Sequence, residues 1–213
     1  MSPRAEQKQQ TRQALMDAAR GLMDSGRGFG SLSLREVSRT AGIVPTGFYR
    51  HFQDMDELGL ALVAEVDATF RSTLREVRRS QFEMGSIIEA SARIFLDAVS
   101  ANRNQFLFLA REQYGGSQPV RQAIGRLRQQ ITDDLAADLK LMNRTPHLDD
   151  AALDVVSDLV VKTVFATLPE LIDPPSASLP AHLTPEAKMI QQLRFIFIGA
   201  KHWHGLGQGQ GRD

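Results

Sequence analysis

The stretch from Ser33 to Phe52, SLREVSRTAGIVPTGFYRHF, constrains the fold more than any other part of this 213-residue chain. Ser33 and Glu36 have the spacing of a capping box, in which each side chain accepts from the other residue's backbone N–H. Gly42 then stands where a helix most readily ends in a left-handed conformation, and Pro45 suits the first turn of a new helix. The stretch therefore predicts two short helices joined by a tight turn.

The second of these helices, predicted over Pro45 to Phe52, has different inner and outer faces. Phe48 and Phe52 are four residues apart and should both face inward. The residues left to face outward are Thr46, Gly47, Tyr49, Arg50 and His51. Their hydroxyl, phenol, guanidinium and imidazole groups suit phosphates and base edges, and a helix-turn-helix lays such a helix in the major groove of DNA. Two short helices joined through a glycine also occur in proteins that bind no DNA, so the bare pattern leaves that alternative open.

The distribution of charge separates a basic head from an acidic body. Residues 1–53 carry eight Lys and Arg side chains against four Asp and Glu, a formal charge of +4. The remaining residues carry 17 basic and 21 acidic side chains, so the net charge of the chain is zero. We therefore expect residues 1–53 to form a DNA-binding domain and the rest of the chain to have another role.

Composition argues against several other classes of protein. The chain has no cysteine, which excludes a disulfide framework and a zinc finger and fits a reducing cytoplasm. It begins without an apolar signal segment, and no apolar run approaches the roughly eighteen residues of a membrane span. His202 and His204 are two apart, so on a helix their rings would point away from each other. We expect a cytoplasmic protein that is not an enzyme, has no membrane partner, and uses neither metal nor cofactor.

The chain beyond the head shows helical periodicity throughout, so the predicted fold class is all-α, with about nine helices in all. The head would contain three of them, the first from about Thr11 to Ser25, after a frayed segment over residues 1–10. We expect Phe29 and Leu32 to enter the head core with Leu15, Val37 and Phe52. Asp54 and Glu57 form a second capping box, which opens a long connecting helix over 54–79. The body is predicted over residues 54–205, and the glycine-rich residues 206–213 form a flexible tail.

Asp149, after Pro146, is predicted to open a body helix over 151–172, and Thr184 is predicted to start a last helix that ends near Trp203. Both helices are apolar on more than one face. One side of each helix would pack on its own core and the other on a second copy, as a twofold dimer requires. The alternative is that both are central helices of one large core. The candidate dimer residues are Leu159, Val160, Val164, Leu168, Leu193 and Phe197.

The strings LSLREVSRTAGI, GFYRHF and DMDELGLAL follow one another in an order that resembles the TetR family of bacterial transcriptional repressors. The resemblance spans Thr11 to Leu58, and the run IVPTGFYRHFQDMDELGLALV is most similar to the FabR and DesT branch. That branch regulates unsaturated fatty acid synthesis and desaturation. One departure is that Met55 and Asp56 stand where relatives often carry a lysine that reaches a phosphate.

The resemblance implies a symmetric homodimer that binds a palindromic operator in double-stranded DNA. Thr46, Tyr49 and Arg50 would then contact bases or backbone, beside Gly47. Ser33, Arg35 and His51 would lie mainly on phosphates.

The resemblance also implies an effector, a long-chain acyl-CoA, whose saturated or unsaturated chain binds in the body and shifts the spacing of the two heads. From the pattern alone, phenylalanines at helical spacing more often form a solid core, whereas the family relationship favours an apolar slot. The candidate ligand residues are Ile88, Phe95, Phe106, Phe108, Leu109, Arg111, Tyr114 and Phe165, with Phe82 as a further candidate. Arg111, Glu112 and Tyr114 would meet the polar part of the ligand, or else serve as surface ion pairs or helix caps.

Two alternative functions remain open from the sequence. One is a TetR-type repressor that responds to another hydrophobic ligand and controls efflux or catabolic genes. The other is a helical module that binds lipid or acyl-CoA without DNA. Binding of duplex DNA by the 1–53 head, with a steep dependence on salt, would distinguish a repressor from such a module.

Overall fold

The computed structural model of the chain describes residues 3–24, 26–79, 87–142, 146–173 and 180–204. Within these ranges the chain forms nine α-helices and two short 3₁₀-helices and no strand, which confirms the predicted all-α class. The α-helices are α1 (Pro3–Asp24), α2 (Leu34–Thr40), α3 (Pro45–Phe48), α4 (Met55–Arg79), α5 (Ile87–Ala101), α6 (Arg103–Glu112), α7 (Gln118–Met142), α8 (Asp150–Ile172) and α9 (Pro185–Lys201). The 3₁₀-helices are η1 (Phe29–Ser31) and η2 (Ala181–Leu183). Of the helices described, none combines the length and the apolar character needed to cross a membrane.

The chain divides into two compact units, each of which is discontinuous in sequence. Unit 1 combines Met1–Arg79 with Asp97–Gly125, and unit 2 combines Ser80–Leu96 with Arg126–Asp213. Unit 1 thus contains the whole of the predicted head together with α4, α6 and the beginning of α7. The tail predicted over 206–213 and the candidate Phe82 lie outside the described residues.

The core of unit 1 joins the head helices to α4 and α6. The sequence predicted that Phe29 and Leu32 would enter the head core with Leu15, Val37 and Phe52, and all five side chains are buried. Aromatic rings extend this core, because Phe29 meets Phe108 edge-on at 5.7 Å and Phe70 meets Phe106 at 5.3 Å between ring centroids. The head is therefore supported by α6, an element more than fifty residues further along the chain.

Helix α1 is longer than the sequence predicted. It begins at Pro3, so the expected fraying of residues 1–10 is wrong for residues 3–10. Proline is well tolerated in a first helical turn, and most residues that follow, alanine, glutamate, glutamine and lysine, are good helix formers. These residues are exposed and polar, so they carry none of the apolar periodicity from which the helix start was predicted.

Unit 2 contains the packed pair α8 and α9 together with the part of α5 up to Leu96. Ala92, Met189 and Leu193 form one buried cluster, and Leu148, Leu153, Val156 and Ala200 form another. Both long helices begin at the caps that the sequence indicated: Ala152 N–H donates to Asp149 Oδ1 at 2.8 Å, and Ala187 N–H donates to Thr184 Oγ1 at 3.2 Å. Local capping signals therefore located these helix starts correctly.

Candidate nucleic-acid interface

Helix α2 begins with the predicted N-cap. Ser33 Oγ accepts from the backbone N–H of Glu36 at 3.2 Å. The Glu36 carboxylate is paired mainly with Arg27, which also donates to the carbonyl of Ser31 at 2.9 Å. The hydrogen bond from Arg27 is the main cause that lowers the pKa of Glu36, and the same bond raises the pKa of Arg27. This ion pair ties the segment before α2 to the first turn of that helix.

The turn between α2 and α3 depends on two glycines. Gly42 has φ of +70°, the left-handed conformation that the sequence predicted for it. At Gly47, a Cβ atom would lie 2.8 Å from Ile43 Cγ2, which is too close for two carbon atoms. Glycine at this position therefore lets the first turn of α3 approach the turn that precedes it.

Helix α3 is shorter than predicted. Its α-helical hydrogen bonding covers Pro45–Phe48, and the chain continues to Phe52 in turns. The backbone N–H of Arg50 donates to the carbonyl of Gly47 at 3.2 Å, an i−3 bond that tightens the turn. Phe48 and Phe52 are both buried as predicted, with ring centroids 5.6 Å apart.

The predicted DNA contacts lie on and beside this helix pair, with differing exposure. Thr46, Tyr49, Arg50, Ser33 and Arg35 are exposed, whereas Gly47 and His51 are half-buried. An open groove beside the turn is lined by Ser33, Arg35, Glu36, Arg39, Gly42, Ile43, Val44 and Pro45. The first turns of α2 and α3 therefore share one concave surface that carries two arginines.

A second groove joins α3 to the start of α1. Arg4 and Lys8 of α1 line it together with Gly47, Arg50 and His51. The other described residues along it are Pro3, Ala5, Gln7, Thr11, Ile43 and Val44, and none of the described lining residues carries a carboxylate. A surface of this kind attracts an anion such as a DNA phosphate. The part of α1 before Thr11, predicted to be frayed, is what builds one wall of it.

His51 is held neutral by its surroundings more strongly than an exposed histidine would be. Burial is the main cause that lowers its pKa, and the positive charges of Lys8, Arg12 and Arg50 lower it further. Its Nδ1 is buried and has no hydrogen-bond partner among the described residues. The Arg12 guanidinium lies over the Phe52 ring, 4.7 Å from its centroid. The sequence predicted that His51 faces outward, whereas in the structure its side chain is half-buried. It lines the same groove as Arg4, Lys8 and Arg50, which we call the basic groove.

The departure from the family pattern noted above lies at the start of α4. The backbone N–H of Glu57 donates to Asp54 Oδ1 at 2.8 Å, as the second capping box predicts. Glu57 reaches back to the backbone N–H of Gln53, at 2.5 Å. Asp56, which stands near the position of a lysine in many relatives, accepts from Ser117 Oγ at 2.6 Å. In this chain the helix start contacts protein groups within unit 1.

The candidate ligand residues are divided between the two units. In unit 1, Phe106, Phe108 and Leu109 are fully buried, Arg111 donates to the carbonyl of Met23 at 2.5 Å, and Tyr114 is exposed. The rings of Phe106 and Phe108 are in contact with Phe70 and Phe29, so they act as packed core in this structure.

The ligand candidates of unit 2 are also in apolar surroundings. Phe165 is buried, and Ile88 and Phe95 pack against the cluster of Ala92, Met189 and Leu193. The predicted lining stays a prediction, with its members now assigned to two separately packed sets.

The candidate dimer residues behave in two ways. Leu159 is exposed, and Val160, Val164 and Phe197 are half-buried. Leu168 and Leu193 are buried within unit 2, and their contact with a second copy stays a prediction.

An exposed apolar surface nevertheless exists on α8 and α9. Val155, Leu159, Phe195 and Ile198 are large apolar side chains that remain exposed, Phe195 to 79%. Val155 and Leu159 are four apart on α8, and Phe195 and Ile198 are three apart on α9, so each pair shares a helix face. These residues define what we call the α8–α9 surface.

The histidines and carboxylates do not assemble into a metal centre in the part of the chain that the structure describes. No group of three or more such side chains there is arranged to hold a metal ion.

Comparisons with known proteins agree with this arrangement. Residues 15–62 match the family model described as bacterial regulatory proteins, tetR family, and residues 84–199 match the model described as tetracyclin repressor-like, C-terminal domain. A TetR-family transcriptional regulator from Syntrophomonas wolfei, described as putative, has a similar structure with a TM-score of 0.69 at 13% identity, over 90% of this chain and 95% of that one.

Two fatty acid regulators also share the fold. The fatty acid degradation regulator FadR from Bacillus halodurans gives a TM-score of 0.65 at 10% identity, over 89% of this chain and 95% of that one. The regulator FadR from Bacillus subtilis, in complex with stearoyl-CoA, gives 0.67 at 13% identity, over 86% and 96%. At these identities the likeness shows the fold, which is TetR-like, with an N-terminal helix-turn-helix and a C-terminal helical body.

Proposed function

The chain belongs to the TetR family of bacterial regulatory proteins, and from that membership we propose that it is a ligand-responsive regulator, mainly a repressor, of genes for fatty acid desaturation and unsaturated fatty acid synthesis. It binds a palindromic operator as a homodimer in the bacterial cytoplasm. Its effector is a long-chain acyl-CoA, and it distinguishes saturated from unsaturated chains.

The observation that carries the DNA-binding part is the basic surface around α3. Thr46, Tyr49 and Arg50 are exposed there, and Arg4 and Lys8 line the same groove as Arg50. Exposed hydroxyl and guanidinium groups can hydrogen-bond to base edges, while the cations along the groove can bind phosphates. In a twofold dimer, two such helices would occupy successive major grooves about 34 Å apart.

The acyl-CoA part is supported by the resemblance to the FabR and DesT branch and by a relative of the same fold. The Bacillus subtilis regulator FadR has been crystallised with stearoyl-CoA, so this fold accommodates a long acyl chain. Phe108 and Phe165 are each proposed as an acyl-chain contact, and each lies in the core of its own unit. Both are buried, and the acyl tail would have to replace some of their present packing contacts.

Regulation follows from linkage between the two ligands. An effector changes operator affinity only if it binds more tightly to one arrangement of the two heads than to the other. The α8–α9 surface supplies the dimer contact, because exposed Phe195 and Ile198 can be buried against a second copy. A palindromic operator then selects the dimer whose heads have matching separation.

The direct test is a titration of the full-length protein on a labelled palindromic promoter fragment upstream of a desaturase or fatty acid synthesis gene. Palmitoyl-CoA and oleoyl-CoA would be added at one fixed salt concentration, with free coenzyme A as the control for the polar part. We expect the two acyl chains to shift the operator Kd in opposite directions. A repeat at several salt concentrations should give a steep decrease in affinity with salt.

Each other outcome selects one of the alternatives. DNA binding without any acyl-CoA response would keep the repressor and assign it another hydrophobic effector, with efflux or catabolic genes as targets. Acyl-CoA binding without affinity for any duplex would indicate a lipid-binding helical module. For the predicted lining, Phe108→Trp and Phe165→Trp should each alter the acyl-CoA response, and an unchanged response in both would exclude these residues as ligand contacts.

A further inference from the structure

We infer that Glu112, at the end of α6, is a positioning residue for the helix-turn-helix. Its side chain is only 2% exposed, although the sequence suggested a ligand contact, a surface ion pair or a cap at its own helix. A carboxylate is rarely buried without a compensating hydrogen bond, because desolvation of the charge is costly. The partner of this carboxylate lies 83 residues away in sequence.

The partner is the first residue of η1. The backbone N–H of Phe29 donates to Glu112 Oε1 at 2.7 Å, in a buried contact. The first N–H groups of a helix have no acceptor within that helix and need one from elsewhere. Glu112 therefore caps η1 from α6. Gly28, the residue at the N-cap position, cannot do so because it has no side chain.

The surroundings of the carboxylate fit this role closely. At Gly115, a Cβ atom would overlap Glu112 Oε2, and at Gly28 it would lie 3.5 Å from Oε1. The absence of a side chain at Gly115 thus leaves room for the buried carboxylate, whereas a Cβ at Gly28 would only touch it. Oε2 itself has no hydrogen-bond partner among the described residues, so the defined polar contact of the group is the one to Phe29.

Two further contacts place α6 on the same segment of the head. Arg111, the residue before Glu112, donates to the carbonyl of Met23 in the last turn of α1 at 2.5 Å. The ring of Phe108, one helical turn earlier, meets the ring of Phe29 edge-on. Helix α6 therefore contacts the chain on either side of Gly26, at Met23 before it and at Phe29 after it.

A short path leads from this contact to the DNA-binding surface. Phe29 begins η1, Leu32 is buried directly after it, and Ser33 caps α2. Only three residues separate Phe29 from that cap, so the position of Glu112 determines where α2 begins. Loss of the acceptor would leave the Phe29 N–H buried and unpaired, which favours displacement of η1 and of the helix that follows.

The experiment compares Glu112→Met, which has a similar volume but no acceptor for the N–H, with Glu112→Gln, which keeps a carbonyl acceptor. Gln113→Met is the matched control, since the Gln113 side chain donates to the carbonyl of Ala110 in the last turn of α6. Hydrogen exchange of the full-length protein, followed by mass spectrometry, reports on residues 27–40, with α8 as the internal reference. Operator affinity is measured on a duplex that the wild-type protein selects from a random-sequence library.

We expect Glu112→Met to speed exchange in residues 27–40 by about tenfold and to weaken operator binding by a similar factor, while α8 is unchanged. Glu112→Gln and Gln113→Met should stay within about twofold of wild type for both quantities. The inference is overturned if Glu112→Met also stays within that range, or if Glu112→Gln is as damaging as Glu112→Met.

Two provisions keep the result decisive. If Glu112→Met does not fold, Gly115→Ala tests the same contact with the carboxylate present, because the new Cβ would displace Glu112 Oε2. Unchanged hydrogen exchange in residues 27–40 of that variant would overturn the inference. The operator readout rests on the proposed function, whereas the exchange readout does not. A wild-type protein that selects no duplex would therefore count against the function, and the exchange data would still decide the role of Glu112.

Discussion

The helix-turn-helix and the α8–α9 surface place opposite kinds of side chain in solvent. In the helix-turn-helix, Phe48 and Phe52 are buried and Tyr49 and Arg50 are exposed. On α8 and α9, by contrast, large apolar residues such as Phe195 remain exposed after the core of unit 2 is complete.

The difference indicates the chemistry of the partner that covers each region. A polyanion is attracted by cations and hydrogen-bond donors, and its binding affinity remains high when water stays in the interface. A second protein copy is held by apolar area that leaves water. The four predictions that follow test this contrast, beginning with the largest expected effect.

Phe195→Asp should weaken dimerisation roughly 100-fold or more, because it removes apolar burial and places a charge in the interface of both copies. Analytical ultracentrifugation over a dilution series measures this change. The control is Leu141→Asp in α7, which changes a side chain that is 84% exposed and lies outside the α8–α9 surface. If the Phe195 variant remained as dimeric as the control, the α8–α9 surface would not be the dimer contact.

Arg50→Ala should weaken operator binding about 10- to 100-fold, the loss expected when one direct base contact of an arginine is removed. The measurement is an equilibrium titration at constant salt, followed by a mismatched operator to see whether sequence preference relaxes. Arg128→Ala in α7 removes the same charge from another exposed position and should have little effect. Equal losses for both arginines would mean that only net charge matters.

Gly47→Ala should destabilise unit 1 by about 1–3 kcal/mol, because the new Cβ would crowd Ile43 Cγ2. Thermal unfolding measures the cost, and a second change, Ile43→Leu, should recover part of it by removing the γ2 methyl. Gly125→Ala in α7 is the matched case, since nothing lies within 4 Å of its Cβ position. There we expect a small gain in stability from higher helix propensity. A harmless Gly47→Ala would show that the turn adapts.

The smallest effect should come from His51, whose pKa in the folded protein is lowered by burial and by Lys8, Arg12 and Arg50. The unfolded chain then takes up a proton first as pH falls below the ordinary histidine value of about 6.5. Stability from neutral His51 is thus complete above that pH and is lost as pH falls toward the lowered pKa. Melting temperatures between pH 5 and 8 should show a weaker acid decrease for His51→Gln than for wild type.

The histidine control for that measurement is His182→Gln, in the exposed turn η2. It should leave the acid decrease as it is in the wild-type protein. If both variants altered the pH dependence to the same degree, the basic groove would not be the cause.

Local signals in the sequence predicted the fold well wherever one short segment determines the geometry. The caps at Ser33, Asp149 and Thr184, the left-handed Gly42, and the inward Phe48 all occur as expected. Each depends on residues within a few positions, so a single sequence contains the necessary information.

Contacts between distant segments were not predictable in the same way. Glu112 looked like a surface or ligand residue, because nothing near it in sequence indicates that Phe29 would need its acceptor. Apolarity all around a helix does not say which side faces its own core, so the sequence could not show that Leu168 and Leu193 are buried within unit 2. Polar residues 3–10 gave no apolar period, although helix propensity alone was sufficient there.

The discontinuity of unit 1 has a consequence for how the protein is made. The head helices belong to a packed unit that also includes Asp97–Gly125, so the last of their support is synthesised 72 residues after the predicted head ends at residue 53. At typical elongation rates of about 5–20 residues per second, that delay is roughly 4 to 14 s. During this interval the nascent helix-turn-helix lacks the α6 contacts at Met23 and Phe29. A ribosome-bound chain halted before α6 should therefore remain sensitive to protease in its first fifty residues, and one halted well after it should not.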